Sequence, residues 1–215
     1  MWILIIILIT VFLINFLTYW IIELKQKNIG TKTKEFYKKS FPFVWTISIF
    51  LIPIINSSFL QPFFNENISY FRHYWVWFVL AGIVIIIFGL KVRSSAIKAL
   101  KRRTNTEGKP TLMKKGVYEI ARHPKYLSWI LIYMGITFIS DSFLAIIFCP
   151  ILVILTELLC FLEEKHILIP KFGENYINYK KKTPYKLVSP PYNFLLLILA
   201  IIIIYIGFIN LYNIF

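Results

Sequence analysis

The chain has 215 residues, of which 58% are hydrophobic and only 16% are charged, and its formal net charge is +14 at pH 7. This apolar content lies outside the usual range of soluble domains, which excludes an ordinary soluble enzyme and predicts an integral membrane protein. The basic residues alternate with long apolar runs and form no single face, so attraction to anionic membrane lipids explains the charge and no nucleic-acid partner is expected.

Long uncharged runs indicate where the chain crosses a bilayer, because about 20 apolar helical residues span a hydrocarbon core of about 30 Å. The predicted spans are, in chain order, Trp2–Ile22, Phe41–Asn65, His73–Leu90, Tyr126–Ser140, Ser142–Leu162 and a C-terminal run within Leu187–Phe215. The predicted fold class is therefore all-α: a polytopic helical membrane bundle of about six transmembrane helices, five plus a C-terminal one.

The basic residues of the connecting segments predict the orientation of these spans. Glu23–Ser40, Lys91–Lys125 and Lys165–Lys186 contain all of the 24 Lys and Arg residues except Arg72. Because loops rich in Lys and Arg stay cytoplasmic, these segments are expected inside and both termini outside. We expect one helical unit with three regions: a three-span N-terminal region (1–90), a central region with the cytoplasmic segments (91–189) and a C-terminal helix (190–215).

Most polar residues lie in two cytoplasmic segments, Lys91–Lys125 and Glu163–Ser189, on either side of the fourth and fifth spans. A tight turn at Asp141 makes those spans an antiparallel hairpin, so both segments return to one membrane face and can meet there. Within the first segment, Ser94–Arg103 is predicted to be helical and residues 104–110 to form a loop.

Within the stretch Arg122-His123-Pro124, His123 and Pro124 are expected to mark the entry to the fourth helix, since proline disfavours helix at the preceding residue and suits the first helical position. The free amides of that helix start would stabilise a carboxylate or a phosphate. Taken alone, such a stretch is more often an interfacial anchor than a site.

The fifth span contains Glu157, Cys149 and Cys160. An ionised glutamate at membrane depth costs about 2.5–3.5 kcal/mol, so Glu157 should face the bundle interior or a wet cavity. Two interpretations stay open: a structural role, paired with a tyrosine or a backbone group, and a role in a substrate site. Both cysteines lie in the apolar run, so no disulfide is expected.

Two groups of motif residues follow each other in order and spacing. The first reads Leu-Met-Lys-Lys-Gly-Val-Tyr from Leu112 to Tyr118 and, three residues later, Arg-His-Pro-Lys-Tyr from Arg122 to Tyr126. The second contains Glu163-Glu164, Leu168, Phe-Gly-x-x-Tyr-x-x-Tyr over Phe172–Tyr179, and Thr183-Pro184. Together they resemble the signature of the isoprenylcysteine carboxyl methyltransferase and phospholipid methyltransferase superfamily, over roughly residues 91–189.

This resemblance implies a membrane-embedded methyltransferase that binds S-adenosyl-L-methionine in a cytoplasmic pocket and acts on a lipid or prenylated, hydrophobic acceptor. No metal is expected. Tyrosine faces and a carboxylate would attract the sulfonium of the cofactor, and the amides near His123 would suit its carboxylate. The cofactor contacts that the resemblance implies are Leu112, Met113, Tyr118, His123, Pro124, Lys125, Tyr126 and Glu164.

One position departs from the family pattern. In the carboxyl methyltransferases an arginine four residues before the cofactor-binding glutamate holds the substrate carboxylate, whereas this chain has Cys160 there. A thiol cannot replace a guanidinium fork, so the acceptor stays open, although an arginine elsewhere in the chain could supply the charge. The candidates for that charge are Arg93, Arg103 and Arg122.

The nature of the acceptor decides whether a catalytic base is needed. A carboxylate arrives ionised, whereas an ammonium or hydroxyl acceptor must lose a proton, for which Glu157 or His123 would be the base. We therefore take Glu157 and Arg122 as the candidate catalytic residues.

Two other function classes stay open. Sterol and steroid reductases that use NADPH share an Arg-His-Pro-x-Tyr motif and an ending to which Thr183-Pro184-Tyr185-Lys186 is similar. They typically continue with x-Gly-Asp, whereas this chain has Leu127-Ser128-Trp129, which looks more like the methyltransferases. The other class is a non-enzymatic membrane scaffold whose basic loops bind acidic lipids.

Overall fold

The computed structural model describes residues 2–24, 31–55, 57, 75–101, 111–188, 201 and 205. All regular elements in these ranges are helical, which confirms the all-α prediction for this part of the chain. The helices are α1 (Trp2–Leu24), α2 (Thr31–Ile55), α3 (Trp75–Lys101), α4 (Val117–Ile120), α5 (Pro124–Ser140), α6 (Phe143–Glu163), α7 (Ile169–Phe172) and α8 (Glu174–Lys182), and a π-helical turn (Glu164–Leu168) joins α6 to α7.

Two helices begin or end away from the predicted boundaries. α2 begins at Thr31, inside the segment predicted as a basic loop, because Lys and Glu are good helix formers and a charged stretch can extend an apolar helix. α3 runs through Leu90 without a break, so the helix predicted from Ser94 is the continuation of the third span. The predicted loop 104–110, the end of the second apolar run and nearly all of the C-terminal run lie outside the described residues.

The described helices include one segment, Val76–Leu100 of α3, that is long and apolar enough to cross a membrane. Ile6–Ile22 and Thr46–Ile55 are shorter apolar helical segments. Six spans with both termini outside therefore stay a prediction.

The α5–α6 hairpin turns within two residues, as the sequence predicts. Pro124 begins α5, and Asp141 ends it in the left-handed region with a φ of 51°. Ser142 then caps α6, its hydroxyl accepting a hydrogen bond from the backbone N–H of Ala145 at 3.3 Å. The hairpin sends its two open ends to the same side of the molecule, and these ends carry the motif residues.

An aromatic and aliphatic core joins α1, α2, α5 and α6. Phe12 of α1 lies edge-on to Phe148 of α6, with 5.7 Å between ring centroids, and Tyr133 of α5 donates its hydroxyl to the carbonyl of Ala145 at 3.1 Å. Tyr133 is fully buried, and its hydrogen bond satisfies the polar end of a large core side chain. The hairpin is thus fixed against the first two helices.

Close glycine contacts hold α3 along α5. A Cβ atom on Gly135 would lie 2.6 Å from the carbonyl oxygen of Gly82 and 2.5 Å from Cγ1 of Ile86. No ordinary side chain tolerates such distances to backbone, so small residues set the spacing of these two helices, which is a kind of packing also common between membrane helices.

Replacing Gly135 by alanine is expected to lower the free energy of unfolding by about 1–3 kcal/mol, because the added methyl group forces the two helices apart. Thermal or denaturant unfolding of the purified protein in detergent measures this change. Ala81→Val is the control, since Ala81 lies next to Gly82 on α3 but is exposed. Equal stability of Gly135→Ala and the parent protein would contradict the close helix contact.

Candidate functional site

Backbone hydrogen bonds join the residues before α5 to the chain that follows α8. The N–H of Arg122 donates to the carbonyl of Tyr185 at 3.1 Å, and the N–H of His123 donates to the carbonyl of Lys186 at 2.8 Å. Residues 183–188, which we call the closing segment, therefore lie alongside the Arg-His-Pro motif. The two polar segments that the sequence predicts to converge do so.

The second motif group is attached to the first through α8. Gly173 begins this helix with a φ of 53° and a ψ of −132°, a conformation that glycine adopts readily and other residues rarely do. α8 then buries Tyr176 and Tyr179, which lie three residues apart on one face. The hydroxyl of Tyr179 donates to the carbonyl of Tyr118 at 2.6 Å, which ties the Tyr-x-x-Tyr motif to the segment before α5.

A buried charge cluster lies where the two motif groups meet. Nε of Arg122 is 2.7 Å from Oε1 of Glu164, and Nε2 of His123 is 3.1 Å from the same oxygen. Arg122 also donates through Nη1 to the carbonyl of Thr183 at 2.7 Å. Glu164 is only 1% exposed. Lys180 brings its Nζ to 3.2 Å from Oε2 of Glu164, an ion pair without hydrogen-bond alignment.

The cluster keeps its charges. Burial alone would raise the pKa of Glu164, but hydrogen bonds from His123 and Arg122 outweigh it and hold that pKa well below its usual range. Burial alone would lower the pKa of His123, but contacts with Cys160, Glu163 and Glu164 raise it well above its ordinary value. These contacts favour the protonated form of His123, which lies between the carboxylates of Glu163 and Glu164.

A cavity adjoins this cluster. Its wall combines apolar residues, four tyrosines and four residues that can carry charge, a mixture typical of sites for small polar ligands. The lining residues are Leu100, Leu112, Met113, Tyr118, Arg122, His123, Lys125, Tyr126, Glu163, Leu168, Tyr176 and Tyr179.

Six of the eight predicted cofactor contacts lie in this wall: Leu112, Met113, Tyr118, His123, Lys125 and Tyr126. Pro124 and Glu164 are not among the lining residues. Pro124 instead begins α5, and the Oε1 atom of Glu164 is already engaged by two cations. Arg122, one of the two predicted catalytic residues, also lines the cavity.

Glu157, the other predicted catalytic residue, is not part of the wall. Its side chain is 42% exposed, and its Oε2 lies 3.0 Å from Nζ of Lys186 in the closing segment. The structural partner is thus a lysine, where the sequence led us to expect a tyrosine or a backbone group. A partly exposed ion pair contributes little stability.

Four motif residues line the cavity although they were not predicted as contacts: Glu163, Leu168, Tyr176 and Tyr179. The double glutamate and the Tyr-x-x-Tyr spacing were the available signals. Which of two adjacent glutamates faces the cavity depends on the helix phase, and the phase changes here because the N–H of Ile169 bonds to the carbonyl of Glu164, five residues back.

Cys160 occupies the position where the resemblance implied an arginine in the carboxyl methyltransferases. Its side chain is fully buried in the core cluster, and its thiol interacts with the imidazole of His123. The position therefore carries no cation in this chain.

Known proteins match the part of the chain that carries this site. Residues 77–175 match a family model described as Phospholipid methyltransferase. Protein-S-isoprenylcysteine O-methyltransferase of Xenopus laevis is 30% identical over 118 residues, that of Rattus norvegicus 31% and that of Homo sapiens 30%. Each match covers 50% of this chain and 40% of the relative. No solved structure matches the chain.

The family match and the motifs coincide. The matched range contains the whole first motif group and the double glutamate of the second, and the structure joins these two groups around one cavity. Residues 77–175 therefore belong to the isoprenylcysteine carboxyl methyltransferase and phospholipid methyltransferase superfamily.

Proposed function

We propose that the chain is a membrane methyltransferase that uses S-adenosyl-L-methionine and transfers a methyl group to a lipid or lipidated acceptor. The observation that carries this proposal is the cavity, whose wall is built from both motif groups of the family. The names of the relatives, which are methyltransferases acting on isoprenylcysteine, support the same reaction class.

The cavity wall suits each part of the proposed cofactor. Its amino-acid part carries a carboxylate, for which Arg122 and Lys125 offer donors, and an ammonium, for which Glu163 offers an acceptor. The sulfonium would be attracted to the faces of the four tyrosines, and the adenine can stack on aromatic rings or pack against the apolar residues of the wall.

The bound cofactor would supply an electrophilic methyl group, and the residues of the chain would position the acceptor and exclude water. Alignment of this kind can contribute about 7–11 kcal/mol to lowering a barrier. The raised pKa of His123 favours its protonated form, which has no free lone pair to act as a base.

We also propose that the chain is integral to a membrane, with the cavity on the cytoplasmic side. α3 supports this location, since Val76, Trp77, Val84 and Phe88 are each more than half exposed along a helix long enough to span a bilayer. The exposed lysines at the end of α8, Lys180–Lys182, are suitably charged for contact with anionic headgroups.

Cofactor binding tests the proposal. Titration calorimetry of the purified protein in detergent is expected to detect binding of S-adenosyl-L-methionine and none of NADPH. Transfer of a labelled methyl group would then be measured to N-acetyl-S-farnesylcysteine and to phosphatidylethanolamine. Binding of NADPH alone would favour the reductase alternative, and binding of neither cofactor would favour a scaffold.

A further inference from the structure

Arg93 combines two unusual features for a helical residue near a membrane. Its guanidinium carbon lies 4.0 Å from the centroid of the Trp129 ring, which holds the planar group against the aromatic face. Its Nη1 atom is buried and has no hydrogen-bond partner among the described residues. An unsatisfied buried donor on a charged group is costly to keep, so its presence calls for an acceptor that the described residues do not provide.

The Arg93–Trp129 pair lies next to the cavity. Arg93 is seven residues before Leu100 on α3, which places it on the same helix face and about 10 Å farther along the axis. Trp129 is one turn farther into α5 than Tyr126. Leu100 and Tyr126 both line the cavity, and α3 packs antiparallel along α5. Phe50 of α2 completes apolar surroundings, 5.3 Å from Trp129 between ring centroids.

The other arginines considered from the sequence do not offer such a group in the described part of the chain. Arg122 uses Nε for Glu164 and Nη1 for Thr183. Arg103 lies outside the described residues. The position at which the resemblance implied an arginine for the substrate carboxylate is the buried Cys160.

We propose that Arg93 binds the anionic group, a carboxylate or a phosphate, of an amphiphilic acceptor whose apolar chain packs among the helices. This inference rests on the proposed methyltransferase function and adds a substrate class to it. A planar guanidinium fixed on a tryptophan keeps its donor edges free and pre-oriented, which suits two-point recognition of carboxylate or phosphate oxygens. An acceptor held there would have its head group one turn of α5 from the cavity wall.

Matched pairs of amphiphiles test the charge requirement directly. One pair is S-farnesylcysteine and its methyl ester, and the other is farnesyl phosphate and farnesol. The dissociation constant of each probe is measured from the thermal stabilisation that it causes in detergent. The parent protein is expected to bind at least one anionic member more tightly than its neutral partner. Arg93→Gln is expected to weaken binding of that anion by about ten- to hundred-fold and to leave the neutral partner unchanged.

Control variants separate a local site from general attraction. Lys91→Gln removes the same charge from an exposed position two residues away and is expected to preserve the discrimination. Arg93→Lys keeps the charge without the planar fork and is expected to give intermediate binding. Such partial rescue would show that the loss in Arg93→Gln comes from the missing charge and not from a folding defect. Equal losses in Lys91→Gln and Arg93→Gln, or no preference for either anion in the parent protein, would overturn the inference.

The outcomes also distinguish this inference from the proposed function. Preference for farnesylcysteine indicates a carboxylate acceptor, and preference for farnesyl phosphate indicates a phosphate-bearing one. Arg93→Gln is expected to bind S-adenosyl-L-methionine with the affinity of the parent protein. If the parent protein binds no S-adenosyl-L-methionine and still discriminates through Arg93, the anion site stands and the methyltransferase proposal fails.

Discussion

Replacing Glu164 by glutamine is expected to lower the free energy of unfolding by about 3–5 kcal/mol, because it leaves the buried Arg122 without its counter-charge and leaves His123 with Glu163 alone. Arg122 and His123 both contact Oε1 of this carboxylate, and all three side chains are at least 95% buried. An amide can donate or accept a hydrogen bond but carries no charge to balance them. Thermal and denaturant unfolding in detergent measure the change.

Glu157→Gln is the matched control for this loss of charge. Glu157 also forms an ion pair, with Lys186 at 3.0 Å, but its side chain is 42% exposed. An exposed pair of this kind contributes about 0–1 kcal/mol, so the control is expected to remain close to the parent protein. Equal destabilisation by the two substitutions would show that burial of the Glu164 cluster contributes nothing beyond an ordinary surface pair.

The pH dependence of the same comparison follows from the directions of the two pKa shifts. The lowered pKa of Glu164 stabilises the fold fully above the ordinary carboxyl pKa of 4.5, and the effect is lost as the pH falls through the folded-state pKa. The raised pKa of His123 stabilises the fold fully below its ordinary pKa of 6.5, and the effect is lost as the pH rises through the folded-state pKa. The stability difference between parent and Glu164→Gln should therefore be widest between pH 4.5 and 6.5.

The meeting of the two motif groups could be predicted from the sequence because strong local signals determine it. Pro124 can begin a helix but disfavours helix at the residue before it, and Asp141 lies in a turn too short for anything but a hairpin. Because both ends of the hairpin face one side, the polar segments attached to those ends lie on that side and can contact each other. These are constraints of backbone geometry, and they do not depend on which side chains touch.

The individual contacts could not be predicted in the same way, because they depend on helix phase and on long-range partners. Glu163 and Glu164 are adjacent in the chain, yet Glu163 lines the cavity and Glu164 lies behind its wall. The π-helical turn that begins at Glu164 alters the phase of the helix there, and no residue pattern indicated it. Glu157 similarly pairs with Lys186, 29 residues later, which only the path of the closing segment brings near.

Substitution of Glu163 by glutamine is expected to weaken the binding of S-adenosyl-L-methionine by about ten- to hundred-fold while the fold is retained. The reason is the loss of a charge-assisted hydrogen bond between the Glu163 carboxylate and the cofactor, which contributes about 1.5–3 kcal/mol. Glu163 lines the cavity with a side chain that is 31% exposed, and its pKa is lowered, against the effect of burial, chiefly by a hydrogen bond with His123. It is therefore an ionised carboxylate that a bound ammonium or sulfonium can reach. Titration calorimetry measures the affinity.

Two comparisons make this result specific to the cavity. Glu174→Gln removes an exposed carboxylate at the start of α8 and is expected to bind the cofactor like the parent protein. The unfolding temperature of Glu163→Gln should remain well above that of Glu164→Gln, because His123 keeps Glu164 as its counter-charge when Glu163 is neutral. The affinity of Glu163→Gln for the cofactor could instead be unchanged, with binding lost only in variants that also unfold. The carboxylate in the cavity wall would then not contact the ligand, and the orientation proposed for the cofactor would be wrong.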